Sequence, residues 1–251
     1  MPRPGSRKSG SSPIPTVARR LVASVALPLA GWAQPLAAQA YQCSVPAEPV
    51  LPRIAPEGPA RRLPITGYTL ALTWSPEFCR GREASRRDAR QCSGRTGRFG
   101  MVVHGLWPES RQSWPQWCPS RSSLTAQAAR PNLCLSPSEA LVANQWAKHG
   151  SCMVRRPETY FRVTRILWNG LRIPDFDRIS REGGLTAGTI RTRFVDANPG
   201  WRTEAVGVRL NKRGWLEEIR LCYDKRFMPV SCDQARFGAK DATPARIWRG
   251  L

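Results

Sequence analysis

Residues 68–74, Tyr-Thr-Leu-Ala-Leu-Thr-Trp, alternate along the chain and carry β-forming side chains, which predicts a strand. The pattern changes repeatedly on either side of it. Before it, residues 41–64 hold Pro46, Pro49, Pro52, Pro56, Pro59 and Pro64 and read as an extended leader tethered through Cys43. After it, residues 80–98 are rich in arginine and glycine and read as a loop, bracketed by Cys79 and Cys92. Residues 99–104 (FGMVVH) read as a second apolar strand that ends at a histidine. Residues 107–135, rich in Trp, Pro, Ser and Gln, read as a long irregular loop, and loops of that length often bind a ligand. Ser136 to His149 offers a helical face in Leu141, Val142, Gln145 and Trp146, with Gly150 as its stop. Pro157 to about Trp168 reads as an amphipathic helix with Tyr160, Phe161, Ile166 and Leu167. A short helix is expected near Thr186, and residues 205–211 with 214–223 read as a hairpin. Strands and helices without regular β-α alternation, and without an internal repeat, point to an α+β fold.

The first 40 residues stand apart. Arg3, Arg7, Lys8, Arg19 and Arg20 precede an apolar stretch from Leu21 to about Ala33, and Ala38-Gln39-Ala40 follows as a small-x-small pattern. That order is expected of a secretory signal peptide over residues 1–40; the plainer reading is a disordered basic tail. Arg19-Arg20 alone is thin support for a twin-arginine route. The apolar stretch is too short to span a bilayer and a proline interrupts it, and no later segment is long and apolar enough. The expectation is a periplasmic or secreted protein with no membrane insertion after processing. Removing residues 1–40 from 251 leaves 211, enough for one well-buried core, so 41–64 is read as leader and 65–251 as a single domain.

All eight cysteines, Cys43, Cys79, Cys92, Cys118, Cys134, Cys152, Cys222 and Cys232, follow the expected cleavage site. An even number behind an export signal favours four disulfides over free thiols. There is no Cys-x-x-Cys pair and no second histidine at ligand spacing, so no metal is expected. The whole chain carries +21; without the five basic residues of 1–40, 34 basic side chains face 18 acidic ones, a net +16. Polyanions are the natural partners of such a chain, whether nucleic acid or an anionic wall or membrane surface. Charge alone does not separate these, because many exported proteins are cationic without using it.

Only two histidines occur, in Val103-His104-Gly105-Leu106-Trp107-Pro108 and in Gln145-Trp146-Ala147-Lys148-His149-Gly150-Ser151-Cys152. Cleaving an RNA phosphodiester without a metal needs one group to take the 2′-hydroxyl proton and another to protonate the leaving 5′-oxygen. Imidazole, with an ordinary pKa of about 6.5, serves either role. A cation must offset the charge that builds on the phosphoryl oxygens, and Lys148 is placed for this if its helix end points into the cleft. Gly105 and Gly150 would let the backbone turn sharply after each histidine, and Trp107 offers a stacking face for a base. Taken singly, a histidine at a strand end is usually a satisfied polar residue, and one at a helix C-terminus often serves the dipole. The two motifs together outweigh those readings.

The motifs closely resemble the two active-site signatures of the ribonuclease T2 family. His104 to Pro108 match its His-Gly-Leu-Trp-Pro throughout, and residues 145–152 match its Glu-Trp-x-Lys-His-Gly-Thr-Cys except at Gln145 and Ser151. YTLALTWSPEFC (68–79) resembles the family's opening strand and cysteine, WPQWC (114–118) its post-motif loop, and LEEIRLCYD (216–224) its late strand and cysteine. The resemblance spans roughly residues 65–235. It implies a central antiparallel sheet flanked by helices, stabilised by disulfides. It implies a monomeric endoribonuclease, free of metal and cofactor, acting on single-stranded RNA. Transphosphorylation would give a 2′,3′-cyclic phosphate, and slower hydrolysis would give 3′-phosphate ends. His149 would be the general base of the first step and His104 the general acid, with roles reversed in the second. Lys148 would stabilise the phosphorane, and Trp107 would pack the site or a base. Glu109 falls where the family often places a carboxylate against a base; Trp114 and Trp117 are stacking candidates or simply core. By family position Cys118 pairs with Cys152. Cys79–Cys92 and Cys222–Cys232 are local candidates, which leaves Cys43 and Cys134; sequence alone permits many connectivities.

One position departs from the pattern. Gln145 stands where the family has its catalytic glutamate, and Asn144 where some members carry a histidine. An amide still hydrogen-bonds but carries no charge, so it does not raise a neighbouring histidine or lysine pKa as a carboxylate does. The expectation is an active but attenuated enzyme with a shifted pH optimum. The alternatives are a relative that binds RNA or is cytotoxic without turnover, and a cationic wall- or membrane-binding protein supported by charge alone. Intact His104, Lys148 and His149 argue against both, since binding needs no acid–base pair.

Overall fold

In a computed structural model, the alternating stretch is the strand Gly67–Trp74, second of four in an antiparallel sheet. The structure describes residues 40–250 together with positions 1, 2, 5 and 10; the remainder of the segment read as a signal peptide lies outside the described residues. The strands are β1 (Ala40–Tyr41), β2 (Gly67–Trp74), β3 (Arg98–Phe99), β4 (Met101–Glu109), β5 (Val206–Leu210) and β6 (Leu216–Asp224). The main sheet runs β4-β2-β6-β5, and β1 pairs with β3 in a separate ribbon. Leu70, Leu72 and Trp74 of β2 join Met101, Val103 and Leu106 of β4 and Leu216, Ile219 and Leu221 of β6 in the core.

Two long helices cover that face. Pro157–Asn169 begins on a proline, which suits the first helical position, and buries Tyr160, Phe161 and Trp168. Ala187–Ala197 begins with a capping box between Thr186 and Thr189 and buries Ile190 and Phe194. Arg191 on this helix is wholly buried, yet its donors reach Val206 O, Phe237 O, Ala239 O and the Asp241 carboxylate at 2.6–2.8 Å. That set of partners offsets the cost of burying the charge and pins the C-terminal segment to the sheet edge. The result is an α+β arrangement, with a central antiparallel sheet and flanking helices, and the described residues from 40 to 250 lie in one compact unit.

Four disulfides hold the irregular parts: Cys43–Cys134, Cys79–Cys92, Cys118–Cys152 and Cys222–Cys232. The proline-rich segment is held at more points than Cys43. Ser44 N–H donates to Thr96 O at 2.8 Å, and Arg61 exchanges backbone hydrogen bonds with Gln116 at 2.8 and 3.1 Å.

Four local expectations change. First, the strand at 99–104 does not stop at its histidine: β4 runs through Glu109 and carries the whole first motif. Leu72 pairs with Val103 and Ala71 with Gly105, so His104 is an extra residue, a β-bulge. In a regular strand His104 and Trp107, three apart, would point to opposite faces. The bulge shifts the phase: Met101, Val103 and Leu106 face the core, while His104, Trp107 and Glu109 line a cavity on the other face. Second, Gly150 does not end its helix. Ser138 caps Glu139–Gln145, a π turn follows at Trp146–Gly150, and helix resumes at Ser151–Met153. Third, neither motif glycine makes a sharp turn. A Cβ on Gly150 would lie 2.6 Å from the Trp146 ring and 2.8 Å from the Tyr160 ring; one on Gly105 would overlap the Gln145 amide oxygen. Both glycines mark places where packed groups meet too closely for a side chain. The stretch 107–135 is also less irregular than expected, with helical turns at Ala126–Ala129 and Arg130–Asn132.

Candidate active site

The bulge delivers His104 to the side of the sheet away from the two long helices. Its Nδ1 lies 2.9 Å from Oε2 of Glu218, a buried carboxylate on β6. The other Glu218 oxygen accepts from Arg220 Nε at 2.7 Å, and the Arg220 guanidinium sits 5.6 Å over the Trp107 ring. Burial raises the Glu218 pKa, but the His104 hydrogen bond and the charges of His104 and Arg220 outweigh it and hold the carboxyl below its ordinary value. An anionic Glu218 accepts Nδ1–H, which leaves Nε2 of His104 as the nitrogen free to meet a substrate.

Trp107 stands between the two histidines, edge-on to His104 at 5.0 Å and 5.7 Å from His149. Its indole N–H donates to Gln145 Oε1 at 2.8 Å, so the amide fixes the tryptophan. Leu106, beside the bulge, presents its N–H and C=O to the hydroxyl of buried Tyr160, which accepts the first at 3.2 Å and donates to the second at 3.0 Å. The helix Pro157–Asn169 thus holds the backbone of the first motif directly.

His149 sits in the π turn, a distortion common at functional sites. It is buried, its Nδ1 has no hydrogen-bond partner among the described residues, and its pKa is pushed down to about 3. Burial is the main cause, followed by the positive charges of Lys148 and His104. Lys148 makes no ion pair among the described residues, and its ammonium lies 5.7 Å over the Trp117 ring. Trp117 N–H donates to Lys148 O at 2.8 Å, and Cys118–Cys152 closes the same contact covalently. Trp117 is a buried support for this turn rather than a free stacking face.

A cavity of about 570 Å³ brings His104, Trp107, Gln145, Lys148 and His149 together. Glu109 and Trp114 line its other end. Glu109 accepts from Thr69 Oγ1 at 2.6 Å, and burial, only partly offset by that bond, raises its pKa. Trp114 is 47% exposed, with the Arg61 guanidinium 4.7 Å over its ring. Among the described residues no group of three or more His, Cys, Asp or Glu side chains is placed to hold a metal ion.

The description "Ribonuclease T2 family" belongs to the family model that matches residues 66–189, a stretch containing both histidines and Lys148. The chain belongs to the ribonuclease T2 family. A probable ribonuclease of Haemophilus influenzae is 30% identical over 189 residues, covering 70% of this chain and 64% of that protein. A ribonuclease of Aeromonas hydrophila is 39% identical over 85 residues, covering 34% of this chain and 36% of that protein. The chain thus matches less than two thirds of the length of these two relatives. Trichomaglin, described as an S-like ribonuclease, shares the fold with a TM-score of 0.58 at 20% identity, over 74% of this chain and 98% of that one.

Within the T2 frame, the structure brings His104, Trp107, Gln145, Lys148 and His149 together, with Glu109 and Trp114 at the far end of the cavity and Trp117 outside it. Sequence reasoning missed Glu218 and Arg220. Their signal was present in Leu216-Glu-Glu-Ile-Arg-Leu-Cys222: Glu218 and Arg220 alternate with Ile219 and Leu221 in a strand flanked by neighbours on both sides. Charges inside such a strand need a partner, and here the partner is His104.

Proposed function

We propose that this chain is a metal-independent endoribonuclease that cleaves single-stranded RNA through a 2′,3′-cyclic phosphate. One observation carries the reading: the two imidazoles flank one tryptophan but sit in opposite electrostatic settings. His149, buried and next to Lys148, is held neutral and is suited to be the base. His104, paired with the Glu218 carboxylate, is suited to carry the proton. Titratable groups whose surroundings differ in this way take opposite roles in acid–base chemistry.

In the first step His149 takes the proton of the 2′-hydroxyl and the 2′-oxygen bonds to phosphorus. The bond to the 5′-oxygen breaks, and His104 gives that oxygen its proton. In the second step water attacks the cyclic phosphate. His104, now neutral, takes a proton from the water, and His149 returns its proton to the 2′-oxygen. Lys148 balances charge on the phosphoryl oxygens. Gln145 holds Trp107 and supplies no charge, which supports an attenuated rate. The nucleoside bearing the 2′-hydroxyl rests in the Trp107, Glu109 and Trp114 end of the cavity.

The four disulfides and the basic, apolar, small-residue order of the first 40 residues support export, with residues 1–40 as a signal peptide, 41–64 as a leader and 65–251 as the nuclease, acting as a monomer in the periplasm or medium. No described helix is long and apolar enough to cross a membrane. The test is incubation of the mature protein with RNA in EDTA, followed by analysis of the ends. Cyclic-phosphate ends, lost in both His104→Ala and His149→Ala, are expected. Cleavage that survives either substitution overturns the mechanism; binding without cleavage by the wild type favours a non-catalytic relative.

A further inference from the structure

We propose that the cleft has a second arm that carries the RNA chain on the 3′ side of the scissile bond, with its phosphates on Arg82, Arg209 and Arg213. The proposal rests on the nuclease reading above. A second cavity of about 470 Å³ meets the first at His104, Trp107 and Arg220. Its further walls include Thr73, Phe78, Arg80, Arg82, Arg209 and Arg213, and neither His149 nor Lys148 reaches it. The two cavities are therefore arms of one cleft that join beside His104.

Reaction polarity decides which part of the RNA enters this arm. His104 protonates the 5′-oxygen of the leaving nucleotide, and that nucleotide begins the chain 3′ of the cut. His149 and the Glu109 end of the first arm belong to the nucleoside on the 5′ side. The chain that follows the leaving oxygen thus departs on the side of His104 that faces away from His149, which is the second arm.

In the further walls of that arm Arg80, Arg82, Arg209 and Arg213 outnumber the carboxylates Glu77, Glu217 and Glu218, of which Glu217 alone is only half-buried and makes no ion pair among the described residues. Glu77 and Glu218 are buried, and Glu218 is committed to His104 and Arg220. Glu77 accepts from Asn211 at 2.7 Å and reaches Arg80 and Arg213 only at 3.7 Å. Arg82 and Arg209 make no ion pair among the described residues, and Arg213 is 64% exposed. Arg82 lies 4.5 Å over the Phe78 ring and Arg80 4.3 Å over Trp248, so two guanidinium planes are held in place by aromatic faces. A guanidinium ordered on a ring and lacking a carboxylate partner is pre-organised for phosphate. Arg209 pairs with Glu218 across β5 and β6, on the cleft side of the sheet. It stands about three strand spacings, ~14 Å, from β4, beyond the first leaving nucleotide.

The test uses oligodeoxynucleotides with one embedded ribonucleotide, which allow a single cut, extended by three nucleotides on the 3′ side or on the 5′ side. In the wild type at low salt, 3′ extension should raise kcat/KM by about tenfold, the scale of contacts to charged groups, and 5′ extension should do less. In Arg209→Ala/Arg213→Ala the ratio of extended to unextended kcat/KM should fall toward one. The salt slope on the 3′-extended substrate should shrink by about 1.4, the value for two single-strand phosphate contacts. Equal benefit from both extensions, or a 3′ benefit that survives the double substitution, overturns the arm while leaving the nuclease reading intact. Failure of the wild type to cut any of the substrates overturns both.

Discussion

Replacing Glu218 by glutamine removes one charge from the site without changing its shape, and the surrounding bonds dictate how the new amide sits. Arg220 Nε donates to Oε1 of Glu218 at 2.7 Å, so that position keeps the amide oxygen. The amide nitrogen then occupies the Oε2 position, 2.9 Å from His104 Nδ1. An N–H facing Nδ1 makes it an acceptor: the neutral ring with its proton on Nε2 is favoured, and the imidazolium, with N–H facing N–H, is disfavoured. The lost interaction is a buried hydrogen bond between charged groups, worth about 1.5–3 kcal/mol, or roughly 10- to 150-fold in rate if the protonated ring is needed in the transition state. The assay compares kcat/KM for a dinucleotide with that for uridine 3′-(4-nitrophenyl phosphate), whose leaving group needs no proton. Glu218→Gln and His104→Ala should both be slow on the dinucleotide and near wild type on the activated ester, whereas His149→Ala should be slow on both. Circular dichroism and Tm check that the fold survives. A Glu218→Gln enzyme within about threefold of wild type on the dinucleotide, or one equally slow on both substrates, refutes the assignment of His104 as an acid positioned by Glu218.

His149 in the free enzyme titrates at about 3, so the acidic limb of log kcat/KM should lie well below pH 6; Gln145→Glu places a carboxylate one helical turn away and should move that limb up by about 1–3 pH units. An unchanged rate and profile in Gln145→Glu would show that the amide is not what attenuates the site. The same burial predicts a pH-dependent stability. Because the folded pKa lies below the unfolded value, falling pH protonates the unfolded chain first, and stability is lost between about pH 6.5 and 3. Urea unfolding at pH 6.5 and 4 should show wild type losing ~3 kcal/mol more than His149→Gln; equal losses contradict a neutral buried imidazole. Gly105→Ala drives a methyl group into the Gln145 amide and to 2.7 Å from Trp107 Nε1. It should cost about 1–3 kcal/mol of stability and lower activity with it, and an alanine variant with wild-type Tm and rate would show that the two motifs do not meet as described.

Elements whose information is local were legible in the sequence. The period-two pattern at 68–74, the amphipathic run from Pro157, the threonine before Ala187 and the hairpin at 205–223 each became the expected element, because neighbouring residues alone set propensity and capping. Both histidine motifs and Lys148 were legible as well, since a rare residue in a distinctive neighbourhood needs no tertiary information to be noticed.

What the sequence left open depended on contacts between distant residues. Nothing within Val103–Pro108 says that His104 is a bulge; that follows from its register against β2, some thirty residues earlier, and the bulge alone puts His104 and Trp107 on one face. Gly105 and Gly150 read locally as turn residues, but the space beside each is filled by Gln145 or by Trp146 and Tyr160. Glu218 lies 114 residues from the histidine it holds. The sequence by itself thus determined the family, most of the elements and the two histidines on which the proposed reaction rests. The tertiary structure decided which histidine is dry and which is paired with a carboxylate, because burial and charge at a site are sums over everything that packs around it.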